Sequence, residues 1–290
     1  MTTTTVKTIG TTARDYSTIA SWWAACPADL VTSDEIWQGE CYNDSEFLVT
    51  SATTFSGVTT SSTQFPRLTA ASGESFADNA NKLTNALRYN QSNGVGIRTA
   101  TGYVNMLTVS VSHIDMSKLQ VYRQSDSGTN LTITNTSVSG GSYEQMIVQS
   151  DTTKIQVMSL RNGTDNTISN SLIVCRGNGA NGNGIDAGYP GTGSGIFNCT
   201  IVKPSDQGGN GLGIKNNGGG FSNLVVKNTA VFGWGTTASA GTYNASSDYN
   251  AVPDATSPFG GANDQTSAVY ADQFKVVTNA TMDFRAFDAA

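Results

Sequence analysis

The stretch GIFNCTIVKPSDQGGNGLGIKNNGG, residues 195–219, alternates short aliphatic bursts with gaps of Gly, Asn and Ser. Read alone, it is either a biased, disordered segment or one turn of a repeat. Its neighbours decide. One apolar series runs through Val121, Ile147, Ile173, Ile201 and Val231, in steps of 26, 26, 28 and 30 residues. A second falls between them at Leu107, Leu131, Ile155, Ile185 and Ile214, in steps of 24, 24, 30 and 29. Each burst is rich in Val, Ile and Thr and too short for a helical face, so it reads as a strand.

A repeat of this length holding two or three short strands predicts an all-β fold, a right-handed parallel β-helix. Stacking of successive coils buries the inward aliphatic side chains as columns. The Gly and Asn of the gaps supply the left-handed corners, and stacked Asn side chains can form amide ladders. A propeller would put about four strands in 40 residues. An α/β solenoid would need helices where GNGANGNGIDAGYPGTGSG, residues 177–195, stands.

The ends differ in texture. Residues 13–30, ARDYSTIASWWAACPADL, space Ile19, Trp22, Trp23 and Cys26 as a short amphipathic capping helix, with Thr11 or Thr12 as N-cap and Pro27 as terminator. Residues 34–43 and 46–55 read as the first strands, and 65–73 and 94–100 as lead-in coils. The period is lost after about Tyr249. The organisation expected is therefore 1–50 for an N-terminal arm, capping helix and first strands, 51–250 for the coils, and 251–290 for a capping or oligomerisation segment. Residues 1–9 read as an extended arm that orders on a partner. Phe274, Phe284 and Phe287 are expected either to seal the top of the core or to dock on another subunit.

Composition narrows the partners. Charged residues make up 13% and the net charge is −6, which argues against nucleic acid and anionic membranes. No apolar run is long enough to span a bilayer. MTTTTVKTIG lacks the pattern of a secretory signal, so lysis or a dedicated machine is the expected route out of a cell. Cys26, Cys41, Cys175 and Cys199 have no metal-ligand spacing and read as buried thiols, with a Cys26–Cys41 disulfide as the alternative. No metal or cofactor is expected.

The segments TARDYSTIASWWAAC (12–26), FPRLTAASGESF (65–76), SNGVGIRTATGYVNMLTVSVS (92–112), NCTIVKPS (198–205) and YNASSDYNAV (243–252) carry a resemblance. Together they resemble right-handed parallel β-helix proteins common in bacteriophages and marine bacteria, of the pectin-lyase-like superfold. The resemblance covers roughly residues 10–290. It implies the fold, since this fold hosts lyases, hydrolases and binding proteins alike. Members finish on a Gly-Ser-Pro step that the terminal MDFRAFDAA lacks, which implies a last coil left incomplete or finished by a neighbour.

Residues with catalytic chemistry are sparse. Asp186 and Lys215 follow stacked positions of the second series and are expected one coil apart on an outer face as a salt bridge. An active site built on them would add Asp206 and Lys203. Arg161, Asp165 and Arg176 lie in neighbouring turns. His113, the single histidine, would need a carboxylate to orient it as a base, and Asp115 is two residues away. Tyr189, Trp234 and Tyr243 are the candidate glycan platforms, and Trp22 and Trp23 the candidates for attachment to a particle or for capping.

The favoured reading is a structural virion protein: a capsid decoration, head spike or tail-associated β-helix. It would be non-catalytic and trimeric, contacting other virion proteins and host-surface polysaccharide. The alternatives are a tailspike-type polysaccharide lyase or glycoside hydrolase, and a non-catalytic glycan-binding module.

Overall fold

The computed structural model describes residues 1–99, 105–124, 131–151, 156–177, 182–207, 211–216, 223–234, 239–278 and 281–286. The bursts form the strands of three parallel sheets, wound in a solenoid of about seven turns. Sheet 1 has eight strands, in order Thr3–Ile9, Glu35–Cys41, Pro66–Ala70, Asp115–Ser117, Ser142–Glu144, Thr167–Ser169, Gly195–Phe197 and Val225–Lys227. Sheet 2 runs from Phe47–Val49 through Gly96–Thr99, Gln120–Arg123, Ile147–Ser150, Leu172–Cys175 and Thr200–Val202 to Ala230–Phe232. Sheet 3 runs from Thr53–Phe55 through Leu107–Val109, Ile133–Thr136, Met158–Arg161, Ile185–Asp186 and Ile214–Lys215 to Ser239–Ala240. At about 4.8 Å per rung the stack stands roughly 30–35 Å tall.

Register corrects both apolar series. In sheet 2 the inward column is Ile97, Val121, Val148, Ile173, Ile201 and Val231, so Val148 stacks where Ile147 was expected. In sheet 3 it is Leu107, Ile133, Met158, Ile185 and Ile214. Ile133 and Met158 replace Leu131 and Ile155, the latter outside the described residues. Sheet 1 adds a third column, Leu68, Met116, Tyr143, Ile168, Ile196 and Val226. All of these side chains are fully buried, and each aliphatic one contributes about 1.5–3 kcal/mol by leaving water.

The N-terminal residues are not a free arm. Thr3–Ile9 pairs in parallel with Glu35–Cys41 and sets Ile9 in the core. The capping helix starts later than expected, at Ile19–Ala24, because Thr18 and not Thr11 or Thr12 is the N-cap, in a reciprocal capping box with Ser21. Trp22 lies fully buried over the first coil. A Cβ on Gly39 would stand 2.6 Å from its indole, so only glycine permits that approach.

The far end is closed by Tyr243, Val252 and Phe259, with Tyr243 and Phe259 edge to face at 4.9 Å. Residues 268–278 and 281–286 lie off the axis. Phe274, Met282 and Phe284 join Ile147, Leu172, Val174, Val202 and Phe232, the outward residues of sheet 2, in a second apolar cluster. Phe274 and Phe284 thus cover a flank and seal no end, because the later rungs of sheet 2 are apolar on both faces. Phe287 lies outside the described residues. The four cysteines are free, so no Cys26–Cys41 bridge forms. Burial pushes the Cys26 and Cys199 thiols up to about 12 and Cys175 to about 11, which leaves them protonated and inert.

Candidate functional site

Strand alternation sends every second residue outward, and register then sets outward residues of successive coils side by side. Asp186 and Lys215 are register partners on sheet 3, as the spacing predicts. Their chemistry differs from the expectation. Asp186 is fully buried, and its Oδ2 accepts from Arg161 and, at 2.9 Å, from Gln156 Nε2. Its ion pair is therefore with Arg161 of the preceding coil and not with Lys215. Asp206 is exposed in the turn after Thr200–Val202, where burial and then the Asp206 charge push the Tyr270 phenol up. Tyr270 stacks on Phe232 over sheet 2, so Asp206 and Asp186 belong to different flanks. Lys203 points inward and is fully buried. The four residues do not converge.

Two of the expected glycan platforms are interior. Trp234 is 3% exposed, and its indole N–H donates to the Gly182 carbonyl at 2.8 Å. Tyr243 packs in the end cap beside Ser239. Neither ring offers a face to solvent; Tyr189, at 54% exposed, does. Trp22 is also withdrawn from any particle surface, and Trp23 is partly buried edge-on against Phe55 at 5.1 Å.

A cleft with a volume of about 440 Å³ lies at the corner leading into sheet 1. His113, Asp115, Asp165, Phe65, Ser142 and Gly140 line it. His113 is held by a left-handed backbone (φ 53°) and by its N–H bond to the Ser139 carbonyl at 2.7 Å. Gly140 also has positive φ, and a Cβ there would meet His113 Nδ1 at 2.3 Å, so the imidazole's place depends on that glycine. Asp115 opens its strand on the outer face. Arg67, one rung away, donates from Nε to Asp115 Oδ2 at 2.8 Å and from Nη1 to Gln38 at 3.2 Å. Burial raises the Asp115 carboxyl pKa, and the Arg67 bond and charge oppose it.

Sequence spacing pointed to His113 with Asp115. It missed Arg67 and Phe65, which lie nearly fifty residues earlier and meet the pair only through rung register. Among the described residues, no group of three or more His, Cys, Asp or Glu is placed to hold a metal ion.

No protein-family model and no curated protein matches the chain. Among solved structures, the crystal structure of pectate lyase Pel9A is similar, with a TM-score of 0.50 and 13% sequence identity. The alignment covers 96% of this chain and 74% of that one. The likeness is one of fold: a pectate-lyase-like parallel β-helix.

Proposed function

We propose that this protein is a rigid, non-catalytic β-helix that presents its flanks to polysaccharide, as a structural component of a bacteriophage particle. The observation that carries the reading is the commitment of the outward carboxylates that are buried or partly buried. Asp115 is paired with Arg67, Asp151 with Arg176 and Asp186 with Arg161. A carboxylate held by an arginine fixes surface shape. To act as a general acid or base it would first have to give up that partner. The ends of the solenoid are capped and its outer strands are rich in Thr, Ser and Asn, which suits a spacer that contacts hydroxylated chains. Self-assembly into a trimer is part of the proposal.

The test combines mass by light scattering with incubation on bacterial surface polysaccharides and polygalacturonate. The expected result is a trimer retained by a glycan without release of reducing or unsaturated sugar. Sugar release would overturn it. A second reading, a glycan-cleaving enzyme, has one observation in its favour: a carboxyl of raised pKa, that of Asp115, and the imidazole of His113 line one cleft. In that case Asp115→Asn abolishes release, while Lys215→Ala leaves it intact.

A further inference from the structure

The outer face of sheet 2 is divided. Its later rungs carry Leu172, Val174, Val202 and Phe232 and lie under the C-terminal segment. Its earlier rungs carry Arg98, Tyr122 and Gln149, side by side in register. Where the apolar cover ends, a separate cleft of about 350 Å³ opens, lined by Arg88, Tyr89, Tyr122, Gln149, Arg176 and Met282. Three distant parts of the chain build it: the insertion before the strand Gly96–Thr99, the sheet itself and the C-terminal segment.

The walls are fixed. Tyr89 and Tyr122 stand with ring centroids 5.0 Å apart. The Tyr89 hydroxyl donates to Glu46 Oε1 at 2.6 Å, and Glu46 in turn holds Arg98 at 2.7 Å. The Tyr122 hydroxyl donates to Asp151 Oδ2 at 2.6 Å, and Asp151 in turn holds Arg176 at 3.2 Å. Two carboxylates, two arginines and two phenols thus lock a pair of rings whose charges cancel. Arg88 is outside this balance and enters no ion pair among the described residues. Gln149 is 3% exposed, and its Oε1 is buried without a donor. The cleft therefore offers a rigid aromatic wall and an uncompensated guanidinium, with Gln149 closing its floor.

We infer that this cleft binds an anionic sugar unit, a pyranose bearing a carboxylate or sulfate group. Pyranose C–H faces pack on tyrosine rings. The fork of Arg88 matches a planar or tetrahedral oxyanion. The net positive site stands out on a chain of net charge −6. The inference extends the glycan-contact reading, and it does not depend on whether the protein belongs to a virion.

The test titrates the full chain with glucuronate, glucose 6-sulfate and neutral glucose, followed by calorimetry or chemical-shift change. Arg88→Ala is compared with Lys227→Ala, which removes the same charge from sheet 1. Expected are binding of at least one acidic probe, about tenfold loss or more in Arg88→Ala, and wild-type affinity in Lys227→Ala. The two acidic probes identify which anion the site takes. Equal binding of glucose, no binding of either acid, or equal losses in both variants would overturn the assignment. Polymer retention that survives Arg88→Ala would sink this site while leaving the proposed function standing. Acid binding without polymer retention would do the reverse.

Discussion

Lys203 follows the strand Thr200–Val202, and alternation turns it inward, beside Cys175 and away from solvent. Its Nζ has no hydrogen-bond partner. Burial lowers its pKa, because an ammonium withdrawn from water without a hydrogen-bond partner favours release of its proton. Lys203→Met keeps the length of the side chain and removes the ammonium. The expected result is a gain on the order of 1–3 kcal/mol at neutral pH, read from the denaturant midpoint. The pH dependence has a definite sign. An unfolded lysine holds its proton up to 10.5, whereas the folded one loses it lower. Between those two values the unfolded state binds more protons, so wild-type stability from this group rises with pH. The advantage of the Met variant is therefore full below the folded pKa and shrinks toward pH 10.5. A variant less stable than wild type at neutral pH would show that Lys203 contributes through a bond the buried column depends on.

The corner from sheet 1 to sheet 2 is a single left-handed residue on successive coils: Lys118, Gln145, Asn170, Asn198 and Asn228, all with φ between 50° and 60°. Asn228 donates to Asn198 at 3.1 Å, Asn198 to Asn170 at 3.3 Å, and Asn170 to Glu144 at 3.2 Å. This is the amide ladder that the Asn-rich gaps predict. Asn198→Ala loses two amide bonds and forces an alanine into a conformation that costs about 1–2 kcal/mol. Asn198→Gly loses the same bonds without that strain. The expected order of thermal midpoints is wild type, then Gly, then Ala. An alanine variant at least as stable as the glycine one would show that the backbone relaxes at this corner. Corners and strand type were legible because Gly, Asn and β-branched residues act locally. Register was less so. Ile147 and Val148 are both apolar and both buried, one under the C-terminal segment and one in the core. A strand covered on both faces does not alternate, so periodicity cannot tell in from out. The column of sheet 1 escaped notice for a similar reason, since Met116 and Tyr143 break the Val/Ile pattern. The burial of Trp234 and Tyr243 depends on coil stacking that no local signal encodes.

At the scale of the molecule, the apolar flank of sheet 2 explains why the chain continues past its last coil. Residues 268–278 and 281–286 close that flank and tie to the insertion before Gly96–Thr99, although the two are nearly two hundred residues apart. Leu87 N–H donates to Asp283 at 3.0 Å, Phe284 N–H donates to the Leu87 carbonyl at 3.3 Å, and Arg285 reaches the Leu83 carbonyl. Phe284 anchors the tie, 2% exposed and edge to face with Phe274 at 5.8 Å. Phe284→Ala removes a buried ring, a change that costs about 3–5 kcal/mol in a well-packed core. The solenoid columns are independent of this cluster, so the cost falls on a local opening rather than on the whole fold. Hydrogen exchange should then accelerate in 274–286 and 83–90, while Val121, Val148 and Ile173 keep their protection. The same variant should bind an apolar dye, because Val174, Val202 and Phe232 become accessible. Uniform loss of protection would mean that the flank and the columns unfold as one unit, and the C-terminal segment would then be part of the core's cooperativity rather than a cover laid over it.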